Sequence, residues 1–320
     1  MENDKIYDVI ILGGGPAGLT AGIYAQRAAL TTVLIEKGVA GGQVAITKEV
    51  ENYPGFISLG GAELCEKFLN HAKHYDLEII NREVVTTEPG VDLHRVKLDD
   101  GTILQAHALI LATGGNARKL KIPGEDDNFG QGVSYCATCD GFFFRDQVVA
   151  VVGGGDTALE DALYLSKITK KVYLIHRRDE FRGSKILQQR VFAEPQIEII
   201  YNTVATKIIS NQGMIRLSND SGVKGLALKN VKTGEESTLE TDGVFIFVGF
   251  TPATAIVPAG VKLTTSGYVI TDEKCETSLP GIFAIGDLRQ KYANQIVLAA
   301  ADGCTAALAA AHYVESRKEK

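Results

Sequence analysis

Cys136-Ala137-Thr138-Cys139-Asp140 sets two thiols three residues apart, with a carboxylate directly behind the second. At the turn of a helix this spacing lets a disulfide form and break with little backbone motion. One thiolate is stabilised by the other thiol and by nearby helix N–H groups, which brings its pKa to about 7 or below. Asp140 reads in two ways, as an N-cap residue or as the acid that protonates a departing thiolate. The competing reading of the cysteines is half a zinc site. Zinc wants a second C-x-x-C or paired histidines nearby, and the sequence has neither. The six histidines show no ligand spacing, so no metal is expected.

Two glycine loops flank the pair, Gly13-Gly14-Gly15-Pro16-Ala17-Gly18 and Gly153-Gly154-Gly155-Asp156-Thr157-Ala158. In such a loop the first glycine permits a tight turn, the second lets a pyrophosphate approach the backbone, and the third lets the helix pack on its strand. The phosphates then sit on the helix N-terminus, where free N–H groups and the helix dipole favour an anion. Gly13, Gly15 and Gly18 fill these places in the first loop. Glu36 follows at the end of the next strand, where an acid accepts hydrogen bonds from ribose hydroxyls.

The second loop ends in Ala158, a tolerated variant, and its next strand ends in His176-Arg177-Arg178, with Arg182 four residues on. An acid there would repel a 2′-phosphate, whereas arginines pair with it. NADPH is therefore expected over NADH, the plainer alternative being a solvated charge cluster. Two nucleotide sites and a dithiol imply electrons moving from one nucleotide cofactor to a second and on to a disulfide.

The elements that must position these groups are readable from the apolar pattern. Tyr7 to Leu12 reads as a strand, Leu19 to Arg27 as a helix and Thr32 to Ile35 as the next strand, a βαβ unit. The pattern returns with strand Val148 to Val152, helix Leu159 to Ser166 and strand Lys171 to Ile175. Ala108 to Ala112 and Gly281 to Asp287 read as further strands ending in turns, and Ile296 to Tyr313 as an alanine-rich helix with one buried face. Antiparallel strands are expected around 97–105 and 214–238, with turns at 219–222 and 233–235.

The fold class is α/β: two Rossmann-like nucleotide-binding domains of the three-layer ββα type, the second inserted into the first. The expected segments are 1–117 and 246–320 for the first domain and 118–245 for the second.

Composition narrows the function. The chain has 320 residues and a formal net charge of −6, which disfavours nucleic acid as a partner. Neither a signal peptide nor an apolar run of membrane-spanning length is evident, so a cytoplasmic protein is expected. Five cysteines do not make a secreted disulfide framework, and Cys65, Cys275 and Cys304 read as small buried hydrophobes.

Together these residues resemble the low-molecular-weight bacterial thioredoxin reductases over essentially the whole chain. The resemblance rests on G-G-G-P-A-G at 13–18, C-A-T-C-D-G-F-F at 136–143, H-R-R-D-E-F-R at 176–182 and G-I-F-A-I-G-D at 281–287. G-G-Q at 41–43, E-N-Y-P-G at 51–55 and A-T-G at 112–114 support it.

The resemblance implies FAD in the discontinuous domain. Its site would comprise Gly13, Gly15, Pro16, Ala17, Gly18, Glu36, Gly42, Gln43, Asn52, Ala112, Thr113, Gly114, Gly286, Asp287, Gln295 and Ile296. Gln43 and Asn52 would lie near the flavin, and Asp287 on the ribityl chain. NADPH would sit in the inserted domain, on Gly153, Gly155, Asp156, Thr157, His176, Arg177, Arg178 and Arg182. Cys139 would be the flavin-proximal sulfur, Cys136 the sulfur that attacks thioredoxin, and Asp140 the general acid. Phe142 and Phe143 would help dock thioredoxin.

The family is homodimeric, and its inserted domain rotates so that dithiol and nicotinamide reach one flavin in turn. Gly243 and Gly249 would serve as the hinge. The chain departs from the family at Asn294-Gln295-Ile296, where an arginine usually stands in place of Asn294, and at Gly115, where alanine is common.

Three other readings compete. They are the same chemistry with a glutaredoxin-like or peroxidase-adaptor protein as substrate, a ferredoxin–NADP reductase of related fold, and a nucleotide-sensing regulator without turnover.

Overall fold

A computed structural model describes residues 2–47, 49–210 and 222–318. The chain forms two compact units, Met1–Asn116 with Thr251–Lys320, and Ala117–Phe250. The expected turn at 219–222, apart from Gly222, and the part of the antiparallel stretch at 214–221 lie outside the described residues.

The first unit opens with β1 (Glu2–Leu12), α1 (Pro16–Arg27), β2 (Thr32–Glu36), α2 (Gly42–Ala45) and α3 (Gly61–His74). β3 (Glu78–Asn81), β4 (Val84–Glu88), β5 (His94–Leu98), β6 (Ile103–Leu111) and the short β7 (Gly115–Ala117) follow. The second unit contains β8 (Val133–Ser134), α4 (Ala137–Asp140), β9 (Val148–Gly153), α5 (Asp156–Ser166), β10 (Lys171–Ile175) and α6 (Lys185–Ala193). It continues with β11 (Ile197–Ile200), β12 (Thr203–Ser210), β13 (Val223–Asn230), β14 (Glu236–Glu240) and β15 (Gly243–Phe247). The chain returns to the first unit through β16 (Phe250–Pro252), β17 (Ile282–Ala284) and α7 (Ile296–Lys318).

In the first unit the strand order is β3-β2-β1-β6-β5-β4, with β17 also paired to β6. β1 pairs in parallel with β2 and β6, and β17 joins β6 in parallel. Period-two alternation splits the core. Val9 and Ile11 face α1 and α7, while Ile10 and Leu12 pack with Val96, Leu104, Val261 and Val269; Tyr7, outside this alternation, joins the second cluster.

In the second unit β11-β10-β9-β15-β8 form a parallel sheet. Val149 and Val151 pack under α5 and α6, and Ala150 and Val152 pack on the antiparallel sheet β12-β13-β14. Helices, parallel sheet and antiparallel sheet make the three-layer ββα arrangement.

The expected strand–loop–helix units form where the apolar pattern placed them. Pro16 occupies the first turn of α1, where a missing N–H costs nothing. A boundary at 245/246 would cut β15, whose pairing with β9 runs unbroken to Phe247 opposite Gly153. The division at 250/251 leaves that strand whole and falls instead within the short β16 (Phe250–Pro252).

Gly243, read above as a hinge, is buried and begins β15. A Cβ there would sit 2.4 Å from the Phe144 ring, so this glycine makes room for packing and is not a pivot. Gly249 has φ +125°, a conformation that side-chain-bearing residues rarely adopt.

α7 corrects one expectation. It is 23 residues long and, by length and composition, apolar enough to cross a membrane. In this fold it is a core helix: Ala306, Ala307, Ala310 and Val314 are buried in the cluster that α1 also lines. The two helices approach so closely that a Cβ on Gly303 would lie 2.3 Å from the Ala17 carbonyl oxygen.

Candidate active site

Cys136 and Cys139 are joined in a disulfide, their Cα atoms 5.3 Å apart. The bond closes over α4, a single turn entered from β8. Cys136 stands at the N-cap, and the Asp140 N–H donates to the Cys136 carbonyl at 3.2 Å. A 3₁₀ turn, Gly141–Phe144, continues the chain, with Phe142 and Phe143 exposed at 58% and 38%. Gly141 packs against Leu165 and Ile168, where a side chain would collide, so the turn is held down on α5.

Ser134 was not singled out in the sequence, yet it organises this turn. Its Oγ donates to Asp140 Oδ2 at 2.5 Å and accepts from the Cys136 N–H at 3.0 Å. Burial raises the Asp140 carboxyl above the ordinary carboxylate range, and the Ser134 hydroxyl partly opposes that. Asp140 ends α4 and stands at the N-cap position of the 3₁₀ turn, but its side chain makes no capping hydrogen bond there. A carboxyl slow to ionise beside a dithiol suits proton donation.

A raised folded-state pKa means that ionisation costs more in the folded chain, so stability declines as pH rises from the usual carboxylate range through the Asp140 pKa. Asp140→Asn is therefore expected to melt at the same temperature as the parent or higher at pH 7, with the gap closing in acid. Disulfide reduction should fall about 10²- to 10⁴-fold, the usual contribution of a positioned acid. Melting curves at pH 4 and 7 beside turnover measurements check both halves; unchanged turnover would remove Asp140 from the chemistry.

In the first unit, the backbone decides what the glycine loop can hold. A Cβ on Gly13 would lie 2.4 Å from the Ala112 carbonyl oxygen, and one on Gly18 would lie 1.9 Å from the Gly13 carbonyl oxygen. At Gly15 a Cβ would meet nothing within 4 Å, so the backbone here borders open space above the N-terminus of α1. No acidic residue lies in the first turn of α1. Gly42, from the next loop, comes close: its Cβ would stand 3.7 Å from Gly15 Cα.

Glu36 accepts from the Gly14 N–H at 2.7 Å and from the Gly38 N–H at 3.0 Å, and each oxygen keeps a lone pair for a further donor. Asn52 donates to Gln295 at 3.2 Å, joining two predicted flavin residues far apart in sequence. Gln43 donates to Asn116, and Thr113 to the Ala253 carbonyl. Gly114, like Gly15, has open space beside its Cα. Ile296 begins α7 beside the small cluster of Val50, Leu59 and Leu64. Asn294 hydrogen-bonds the Tyr268 hydroxyl.

Gly286 enters a short turn through its N–H, held by Asp302 at 3.0 Å. The next residue, Asp287, carries the one buried side-chain oxygen without a hydrogen bond among the described residues, Oδ1. An orphan carboxylate oxygen and glycines that open onto space fit a nucleotide cofactor with hydroxyls to donate, as FAD has.

In the second unit, Gly153 is packed between Ala158 and the Phe247 carbonyl, while Gly155 is open. Asp156 and Thr157 begin α5, and Asp156 Oδ1 accepts from the Ser184 N–H at 2.6 Å. Arg177, Arg178 and Arg182 are exposed around the strand end. His176 is separate from them. It is buried, its ring nitrogens 2.9 Å from the Gly153 carbonyl and 3.1 Å from the Glu180 carbonyl, and burial lowers its pKa. Its ring lies where a Cβ on Gly154 would be, 2.2 Å away. His176 thus supports the loop from beneath while the arginines surround its mouth.

A glycine loop between strand and helix in each of two α/β units, one of them bearing a redox disulfide, defines a nucleotide-dependent disulfide oxidoreductase. The chain belongs to the pyridine nucleotide-disulphide oxidoreductase family, whose model matches residues 7–303. It is 44% identical over 319 residues to a thioredoxin reductase of Listeria monocytogenes, spanning 99% of this chain and 97% of that one. It is 42% identical over 319 residues to the thioredoxin reductase of Bacillus subtilis, spanning 100% and 98%. The crystal structure of thioredoxin reductase from Streptococcus pyogenes superposes with a TM-score of 0.91 at 43% identity, covering 98% of this chain and 100% of that one. The family's name joins a pyridine nucleotide to a disulfide, the two ends of the expected electron path.

Proposed function

We propose that this enzyme is an NADPH:thioredoxin-disulfide oxidoreductase. The observation that carries the reading is the Cys136–Cys139 disulfide, placed beside an acid in the unit that also bears the arginine-rimmed loop. FAD at the first loop supplies the two-electron link between NADPH at the second loop and the dithiol.

The chain's own residues account for the rest. Two electrons and two protons open the Cys136–Cys139 bond. The Cys136 thiolate then attacks a disulfide of the substrate protein, forming a mixed disulfide and releasing one substrate thiolate. Cys139 attacks Cys136 Sγ, re-forming the internal bond and releasing the second substrate thiolate. Asp140 donates a proton to a departing thiolate. Thioredoxin, at about −270 mV, lies within reach of a nicotinamide donor. The exposed Phe142 and Phe143 provide an apolar contact for the incoming protein.

The proposed sites are those of the sequence reading, with His176 reassigned from phosphate ligand to loop support. We place the enzyme in the cytoplasm, where thiols stay reduced; Cys65, Cys275 and Cys304 are all unpaired. We also propose a homodimer, since α7 leaves Val297, Leu298 and Leu308 exposed on the first unit.

NADPH oxidation followed against thioredoxin, a glutaredoxin-like protein and a peroxidase adaptor tests the substrate. The expected outcome is turnover with thioredoxin at a kcat/KM at least about tenfold above the others, a 1.4 kcal/mol preference. Preferential turnover of either other protein would move the assignment to it.

A further inference from the structure

Asp287 sits in a small charged network that the family motifs do not include. Lys291 Nζ, with its side chain only 7% exposed, lies 3.3 Å from Asp287 Oδ1 and 3.5 Å from Asp302 Oδ2. The approach to Asp287 is an ion-pair contact without hydrogen-bond geometry, which leaves Oδ1 the orphan noted above. Asp302, from α7, is engaged on both oxygens. Arg289 donates to Oδ1 at 2.7 Å, and the Gly286 N–H donates to Oδ2 at 3.0 Å. Arg289 is itself tied to Thr271. One buried ammonium is therefore shared by two carboxylates, and the other carboxylate braces the turn that presents Asp287.

We propose that Lys291 is a positioning residue for the flavin site, holding the Asp287 carboxylate ionised with Oδ1 free to accept a hydroxyl from the cofactor, while Asp302 sets how much of that ammonium Asp287 receives. The inference rests on the FAD reading of the first unit.

Three charged or titratable groups face Asp287: Lys291, Asp302 on α7 and Tyr268. Burial pushes the Asp287 carboxyl up; Lys291 opposes this, and the Asp302 charge adds to the rise. A protonated Asp287 would bring a hydrogen to an oxygen that should accept one. Lys291 therefore matters most at low pH, and the two neighbours act with opposite sign.

The test measures FAD binding to the flavin-stripped protein by fluorescence quenching at pH 6 and pH 8.5. Lys291→Met is expected to weaken binding at pH 6 by at least about tenfold more than at pH 8.5, since losing an opposite charge at this range moves a carboxyl by about one to three units. Lys291→Arg should restore most of the affinity. Asp302→Asn should leave binding no more pH-dependent than in the parent, because it removes a like charge. A merely structural role for Lys291 would weaken binding equally at both pH values.

Equal weakening, no weakening, or Lys291→Met and Asp302→Asn shifting the pH dependence in the same direction would overturn the proposal. If Lys291→Met does not fold, the Asp302→Asn and Lys291→Arg profiles still decide it. A parent protein that takes up no FAD would overturn the FAD reading itself, a distinct result.

Discussion

Cys139→Ser is expected to lower NADPH-driven reduction of a protein disulfide by about 10³-fold or more, the scale on which removing a covalent nucleophile acts. Reduction of a one-electron dye by NADPH needs no sulfur and should survive. The two sulfurs are not equivalent. With Cys139 gone, Cys136 can still attack a partner, but no enzyme thiol carries the exchange forward, and only the substrate's own freed thiol can undo the adduct. A disulfide-linked adduct with oxidised thioredoxin should therefore accumulate and show on a non-reducing gel. Cys136→Ser should be equally inactive and form much less adduct. Full activity of Cys139→Ser on disulfides would remove the dithiol from the reaction, and equal trapping by both variants would cancel the assignment of roles.

The second large effect concerns nucleotide choice. Arg177 and Arg178 are exposed at the end of β10, so their contribution depends on a ligand charge and is screened by salt. Each charge-assisted hydrogen bond to a phosphate contributes about 1.5–3 kcal/mol. Replacing both with alanine should therefore lower kcat/KM for NADPH about a hundredfold or more at low ionic strength, while that for NADH changes little. His176→Ala serves as the contrast. Its ring underlies Gly154 and faces two carbonyls, so its loss should harm both nucleotides alike. Equal losses with both nucleotides for the arginine pair would contradict a 2′-phosphate site.

His176 also shows where sequence reading stops. In sequence His176-Arg177-Arg178 reads as one basic cluster at the strand end. Yet Val172, Leu174 and His176 continue one side of the strand, and the first two are plainly core residues. The alternation that marked β10 contained the signal, had it been carried one step past the strand. The loops, their helices and the C-x-x-C turn were readable because each is a local pattern with a local physical cause.

Ser134 and Lys291 were not readable in that way. A serine two residues before a cysteine carries no signal of its own, and Lys291 gains meaning only when α7 brings Asp302 beside it. Asp302 did leave a trace, as a lone acid within Ala299-Ala300-Ala301-Asp302, on a helix otherwise read as apolar. Gly243 was misread for the opposite reason. Glycine near a domain boundary invites a mechanical reading, but here the Phe144 ring takes the space of its side chain.

The interleaved order of the two units has a consequence for how the molecule is made. β17 completes the first sheet beside β6, and α7 packs on α1, yet both follow the whole of Ala117–Phe250 in the chain. During synthesis the middle unit can close as soon as β15 has emerged from the ribosome. The N-terminal half must wait, with one face of β6 and α1 uncovered, until the last stretch is translated. Nascent chains halted after β15 has cleared the ribosome but before α7 has done so should protect the middle unit from protease while capturing no flavin.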